Sequence, residues 1–158
     1  MKTIICGAGD VGYSIADKLS RENFEVTVID EDENRLNKVS ETLDVKTING
    51  IPSMPSVLES AGANDCEILI AVTKSDETNM VTCQIGHSLF KIKKKIARIR
   101  QQDYLKNDWK NLYNSTMSIV PGEINLLNIP LATSCSGEII ASIGKLSSLY
   151  KFFQSVFK

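Results

Sequence analysis

The residues able to do chemistry here are few and clustered. They are the glycines of Ile4-Ile5-Cys6-Gly7-Ala8-Gly9-Asp10-Val11-Gly12, the acid closing Val26-Thr27-Val28-Ile29-Asp30, the pair Thr73-Lys74, and Arg98. The first run is apolar and breaks into G-x-G-x-x-G. Gly7 permits a sharp turn out of a strand, and Gly9 lets the backbone approach a pyrophosphate with no side chain between. Gly12 lets the next helix lie close to the sheet, a packing role. The amides of Ala8, Gly9, Asp10, Val11 and Gly12 then stand at a helix N-terminus, where unpaired N–H groups and the helix dipole favour an anion. Asp30 can accept hydrogen bonds from an adenosine ribose, and it can also N-cap the following helix.

A lone G-x-G-x-x-G says little, and its surroundings carry the inference. Val11, Ile15 and Leu19 recur at the spacing of one helix face, with Gly12 and Ala16 beside them. The sequence thus reads strand, glycine turn, helix, strand, acid: the dinucleotide-binding fingerprint in its proper context. Glu31, Asp32 and Glu33 read as the acidic first turn of the second helix. No Arg or Lys follows Asp30 closely, so a 2′-phosphate would meet four carboxylates. NAD or NADH is expected in preference to NADP(H).

The remaining elements must position these groups. Leu36, Val39 and Leu43 mark a second helix, Val45 to Ile48 a third strand, and Val57, Leu58 and Ala61 a third helix opened by Pro55 and closed by Gly62. Glu67 to Thr73 is apolar nearly throughout and reads as a central strand covered on both faces. Ser75 caps a fourth helix whose buried stripe is expected at Val81, Ile85 and Leu89, leaving His87 at the surface or boundary. Lys91, Lys93, Lys94 and Lys95 read as a solvated loop, with contact to an acidic or phospholipid surface as the sharper alternative. Ile96 to Arg100 is a fifth strand, Leu105, Trp109 and Leu112 place a fifth helix, and Met117 to Val120 is a candidate sixth strand. The expected architecture is α/β: a Rossmann-like doubly wound parallel sheet of order 3-2-1-4-5, with a nucleotide-binding domain over 1–120. Residues 121–158 are expected to form a linker and a helical tail. That tail carries the apolar cluster Leu146 to Phe157 with Lys145, Lys151 and Lys158, suited to packing on its own domain, on a partner copy, or on a membrane surface.

Ligands on such sheets bind beyond the carboxyl ends of the strands where the order reverses, here between the first and fourth strands. Thr73 and Lys74 end the fourth strand and belong to that point. Alternation along Ile96-Ala97-Arg98-Ile99-Arg100 puts both arginines on one face of an interior strand. A buried guanidinium needs an anion, so Arg98 is expected to meet either an acid of the preceding helix or a ligand phosphate. Arg100 is expected to reach a ligand phosphate or another subunit.

Composition narrows the classes. A formal charge of −1 gives no general pull toward nucleic acid, so no nucleic-acid partner is expected. No run approaches the roughly 20 apolar residues of a membrane span. Met1-Lys2-Thr3 entering a strand at once predicts no signal peptide, and a cytosolic chain. Cys6, Cys66, Cys83 and Cys135 show no C-x-x-C pairing and His87 is the only histidine, which argues against zinc and against a disulfide framework. Cys6 reads as a small buried hydrophobe, with a redox role beside the glycine turn as the alternative.

The blocks C-G-A-G-D-V-G-Y-S-I-A, V-I-D, L-E-S-A-G-A, A-V-T-K-S-D-E-T-N-M and I-A-R-I-R-Q-Q-D-Y-L resemble the TrkA family of Trk potassium-uptake regulators. The likeness is to the N-terminal half of the first RCK (KTN) module, from Met1 to about Tyr113, and Ala71 to Met80 is its most specific part. The resemblance implies a regulatory subunit, cytoplasmic and peripheral on the inner face of the plasma membrane. It would bind NAD or NADH, with ATP or ADP as alternatives at the same site, and assemble as a dimer or ring on an integral membrane potassium-translocating subunit. The nucleotide contacts it implies fall on Gly7, Ala8, Gly9, Asp10, Val11, Asp30, Thr73, Lys74 and Arg98. Two departures stand out: the loop Gly50 to Pro55 is longer than the family pattern and carries Ile51 where a small or polar residue is usual, which puts adenine-side contacts there in doubt; and the resemblance implies a truncated chain, without the C-terminal half of the module or a second module, in which residues 115–158 match only faintly. Two other functions share these residues. One is a small NAD-dependent oxidoreductase, for which His87, Tyr13, Tyr104 or Lys74 would be the proton donor. The other is a nucleotide-binding remnant no longer coupled to transport.

Overall fold

A computed structural model describes residues 1–106 and 117–121. Six strands form one parallel sheet: β1 (Lys2–Cys6), β2 (Glu25–Asp30), β3 (Lys46–Asn49), β4 (Ile68–Ala71), β5 (Lys94–Ile99) and β6 (Ser118–Pro121). Four helices connect the first five: α1 (Asp10–Arg21), α2 (Glu33–Thr42), α3 (Pro55–Ser60) and α4 (Asp76–Ser88). The order is β3-β2-β1-β4-β5-β6. It reverses between β1 and β4, as the alternation of strands and helices predicts, and the candidate sixth strand is present, pairing Ile96 with Ser118 through Ile99 with Pro121. Trp109, Leu112 and the expected linker and tail lie outside the described residues, whereas Leu105 sits in a short 3-10 turn, Gln102–Leu105.

Burial follows position in the sheet. All four residues of β4 are buried, as are Thr3 to Cys6 of β1, because helices cover both faces there. Ile15 and Leu19 of α1 are essentially inaccessible, each stabilising the fold by about 1.5–3 kcal/mol, while Val11 of the same stripe is half-buried at the cleft described below. Pro55 opens α3, and Gly62 follows it in the left-handed region at φ +86°. The N-cap of α2 is Asp32, whose carboxylate accepts from Asn34 N–H at 3.0 Å, so Asp30 does not cap it. Glu33 alone supplies the acidic first turn.

Two further expectations are corrected. The inward face of α4 is Asp76, Asn79, Thr82, Cys83 and Gly86, while Val81 and Leu89 are 47% and 60% exposed and Ile85 is half-buried. The helix lies so close to β4 that a Cβ on Gly86 would come within 2.5 Å of Leu69 Cδ2. No side chain fits at Gly86 while Leu69 stays in place, and Val81 and Leu89 are turned outward, while Met80 and Ile85 pack against the core from the flank. In the lysine run, Lys95 is not in a loop but inside β5 and buried, with Nζ donating to Ile92 O (2.6 Å) and Lys93 O (3.3 Å). Burial lowers its pKa, with Cys83 acting in the opposite sense.

Candidate functional site

The carboxyl ends of β1, β2, β4 and β5 surround a cleft of about 360 Å³. Its floor is the turn leaving β1. Gly7 has φ +111°, and a Cβ there would meet the Val72–Thr73 backbone at 3.0 Å. Glycine is required twice over. At Gly12 a Cβ would lie 1.7 Å from Gly7 O, so this glycine lets α1 seat directly on the turn, the packing role expected of it. Gly9 differs from both. Its backbone (φ −70°, ψ −176°) suits any residue, and the nearest atom to an added Cβ is Arg35 Nη1 at 3.9 Å. The space above Gly9 is open, a cradle that a side chain would fill.

Gly9 is the N-cap of α1, and Tyr13 N–H makes the first helical bond, to Gly9 O at 2.8 Å. The amides of Asp10, Val11 and Gly12 therefore have no carbonyl one turn back to take. Ala8 behaves otherwise: it is buried, it does not line the cleft, and its N–H donates to Asp30 Oδ2 at 2.6 Å. The other eight expected contacts, Gly7, Gly9, Asp10, Val11, Asp30, Thr73, Lys74 and Arg98, are brought together around the one cleft.

Asp30 ends β2 and is only 7% exposed. Oδ2 holds Ala8 N–H and Oδ1 holds Asp32 N–H at 2.9 Å, so the carboxylate ties the turn after β1 to the turn after β2. Each oxygen keeps a second acceptor direction for a ligand hydroxyl. Glu31 pairs with Lys74 (3.6 Å) and Asp32 with Arg35 (3.3 Å), all four side chains well exposed, so each pair contributes about 1 kcal/mol at most. Arg35 corrects the charge argument made from sequence: a cation on α2 does reach the cleft beside these carboxylates. A helix brings residue i+3 back over its N-cap, and reading only the residues next to Asp30 misses that. Ile51 and Pro52 also line the cleft, so the loop after β3 contributes an apolar wall.

Opposite them stands a cationic rim. Thr73 and Lys74 follow β4, and Arg98 and Arg100 lie at the end of β5. The acid of α4, Asp76, goes to Arg100 and not to Arg98. Asp76 Oδ2 accepts the Arg100 and Gln101 amides, both at 2.7 Å, and Arg100 Nε lies 3.7 Å from Oδ1. Arg100 Nη2 also donates to the Lys74 carbonyl. Arg98 Nε is buried and has no hydrogen-bond partner among the described residues. Burial first, then the neighbouring Arg100, hold the Arg98 guanidinium below its ordinary value, with Asp76 acting the other way. That cation faces the cleft wanting an anion. Asp76 and Asn79, which organise this rim from behind, were missed. Their signal was polarity at inward positions of a helix read as amphipathic.

Cys6 is fully buried, and burial raises its pKa strongly; Cys83 is pushed up to about 12 and Cys66 to about 11 for the same reason. These thiols are packing groups, poor in thiolate.

Fold and cleft together define a Rossmann-like domain with a glycine turn at its topological switch point. The chain belongs to the TrkA-N domain family, whose model matches residues 3–114. It is 46% identical over 112 residues to the Trk system potassium uptake protein TrkA of Azorhizobium caulinodans, covering 71% of this chain and 24% of that protein. Among solved structures it is similar to the TrkA-N domain of the inner membrane protein ybaL from Escherichia coli, with TM-score 0.67, 17% identity and coverage of 92% of this chain and 95% of that one. It is also similar to the GsuK channel bound to NAD, with TM-score 0.63, 19% identity and coverage of 75% and 21%. The chain thus spans about a quarter of the length of the curated relatives it matches. No helix among the described residues is long and apolar enough to cross a membrane.

Proposed function

We propose that this domain is a nucleotide-binding regulatory module of a Trk-type potassium-uptake system, taking NAD or NADH, with ATP or ADP as alternatives at the same site. The observation that carries the reading is the open space above Gly9, set at the start of α1 between an acid-rich rim and Arg98, whose buried Nε has no hydrogen-bond partner among the described residues. A diphosphate suits the amides of α1, a ribose suits Asp30, and the far end of the ligand meets Thr73, Lys74 and Arg98. The transport role draws support from the TrkA relative, which is named for potassium uptake, and the choice of nucleotide from the channel bound to NAD. The module would act as a homo-oligomer, dimer or ring, on a membrane potassium-translocating subunit at the inner face of the plasma membrane. A nucleotide switches such an assembly only if it binds two of its arrangements unequally.

An oxidoreductase is less well supported. Of His87, Tyr13, Tyr104 and Lys74, only Lys74 lines the cleft, and it is paired with Glu31. A binding role needs no proton donor. Calorimetric titration of NAD, NADH, ATP and ADP into the chain tests the proposal: saturable one-site binding of at least one is expected, and the absence of heat from all four would overturn it. A domain that binds NADH yet never co-purifies with a potassium-translocating membrane subunit would instead be a remnant uncoupled from transport.

A further inference from the structure

The ladder between β4 and β5 ends at Ala71 opposite Ala97. The residues facing the cleft from these strands, Thr73 and Arg98, lie beyond that last pair. What joins their backbones is one side chain from α4. Asn79 is wholly inaccessible and stands behind the cleft, outside its lining. Its Nδ2 donates to Arg98 O at 2.8 Å, and its Oδ1 accepts from Thr73 N–H at 2.9 Å and from Thr73 Oγ1 at 2.8 Å. A carboxamide has the donor and acceptor of a peptide group, so it can continue a sheet ladder where the strands have parted. Neither an ionised carboxylate nor an aliphatic side chain can satisfy both an amide donor and a carbonyl acceptor.

We propose that Asn79 is a positioning residue of the site, inserting one artificial rung between β4 and β5 and thereby aiming Thr73, Lys74 and Arg98 at the half of the ligand beyond its adenosine phosphate. This rests on the nucleotide reading above. It makes the cationic rim one mechanical unit with the first turn of α4, because the neighbouring Asp76 holds the Arg100 and Gln101 amides of the same strand end. The adenosine side, braced by Asp30, does not depend on Asn79.

The test compares NADH, which is long enough to reach both rims, with AMP, which carries only the adenosine end, in calorimetric titrations of the full chain. Asn79→Ala is expected to weaken NADH about tenfold and AMP by less than about twofold, since lost orientation of charged contacts is worth about 1.4 kcal/mol or more. Hydrogen exchange should show the Thr73 amide deprotected. Should the Ala variant not fold, Asn79→Asp decides by the same criterion at a pH high enough to ionise the carboxyl: the carboxylate keeps the acceptor for Thr73 and lacks the donor for Arg98 O, whereas the protonated acid would restore that donor. Equal weakening of NADH and AMP, or unchanged NADH affinity, would overturn the positioning role alone. If the wild-type chain binds neither NADH nor AMP, this proposal falls, and the nucleotide reading falls with it only if NAD, ATP and ADP give no heat either.

Discussion

On one side of the cleft, Asp30 braces two turns through the amides of Ala8 and Asp32 and itself lines the cleft. On the other side, Asp76 and Asn79 brace the ends of β4 and β5 from behind, and different residues, Thr73, Lys74 and Arg98, face inward. The first rim merges scaffold and contact in one carboxylate. The second separates them. At the first, a loss of affinity alone does not separate a lost ligand contact from a loosened loop, whereas the second allows the two to be varied independently.

The largest effect is expected at the turn both rims share. Gly12→Ala would place a methyl 1.7 Å from Gly7 O, an overlap with backbone that only movement of α1 can relieve. A loss of more than about 3 kcal/mol in urea denaturation is expected, or no folded chain at all. Unchanged stability would mean that α1 does not seat on the turn as described. Next comes Asp30→Ala, which leaves two backbone amides without their acceptor and should cost about 3 kcal/mol. Here NADH and AMP should weaken together, in contrast with the selective loss expected at Asn79. If Asp30→Ala lowers affinity with no change in stability, the brace is not real and the two rims are built alike.

That contrast also explains what could be read from sequence. The glycine turn, α1 and the acid at the end of β2 lie within one β-α-β unit, where spacing alone fixes the geometry. The strand order follows from the regular alternation of elements. The far rim depends on contacts across 19 to 25 residues, between Asn79 and Arg98 and between Asp76 and Gln101, which no periodicity announces. The face of α4 was misjudged because Val81, Ile85 and Leu89 were assigned inward, while close approach to Leu69 demanded Gly86 there and Cys83 shares that buried side. Lys95 shows the same limit: its ammonium folds back onto the carbonyls of Ile92 and Lys93, just before its own strand, so a lysine passes as a buried residue. At Arg98 a half-buried side chain with its Nε inside was legible in part from the strand alternation. Its partner was not, because Arg100 takes Asp76.

The central claim is that the opening above Gly9 is there for a ligand and not for the fold. Gly9→Ala adds one methyl into that opening, where the nearest protein atom is 3.9 Å away and the backbone angles suit alanine. Thermal unfolding and NADH titration of this variant, side by side with the wild type, test the claim directly. Stability should stay within about 1 kcal/mol, the loss of a favourable N-cap being offset by reduced freedom in the unfolded chain. NADH affinity should fall by at least about tenfold, or 1.4 kcal/mol. Wild-type affinity in a folded variant would contradict the account, because the phosphate would then not lie on the glycine turn.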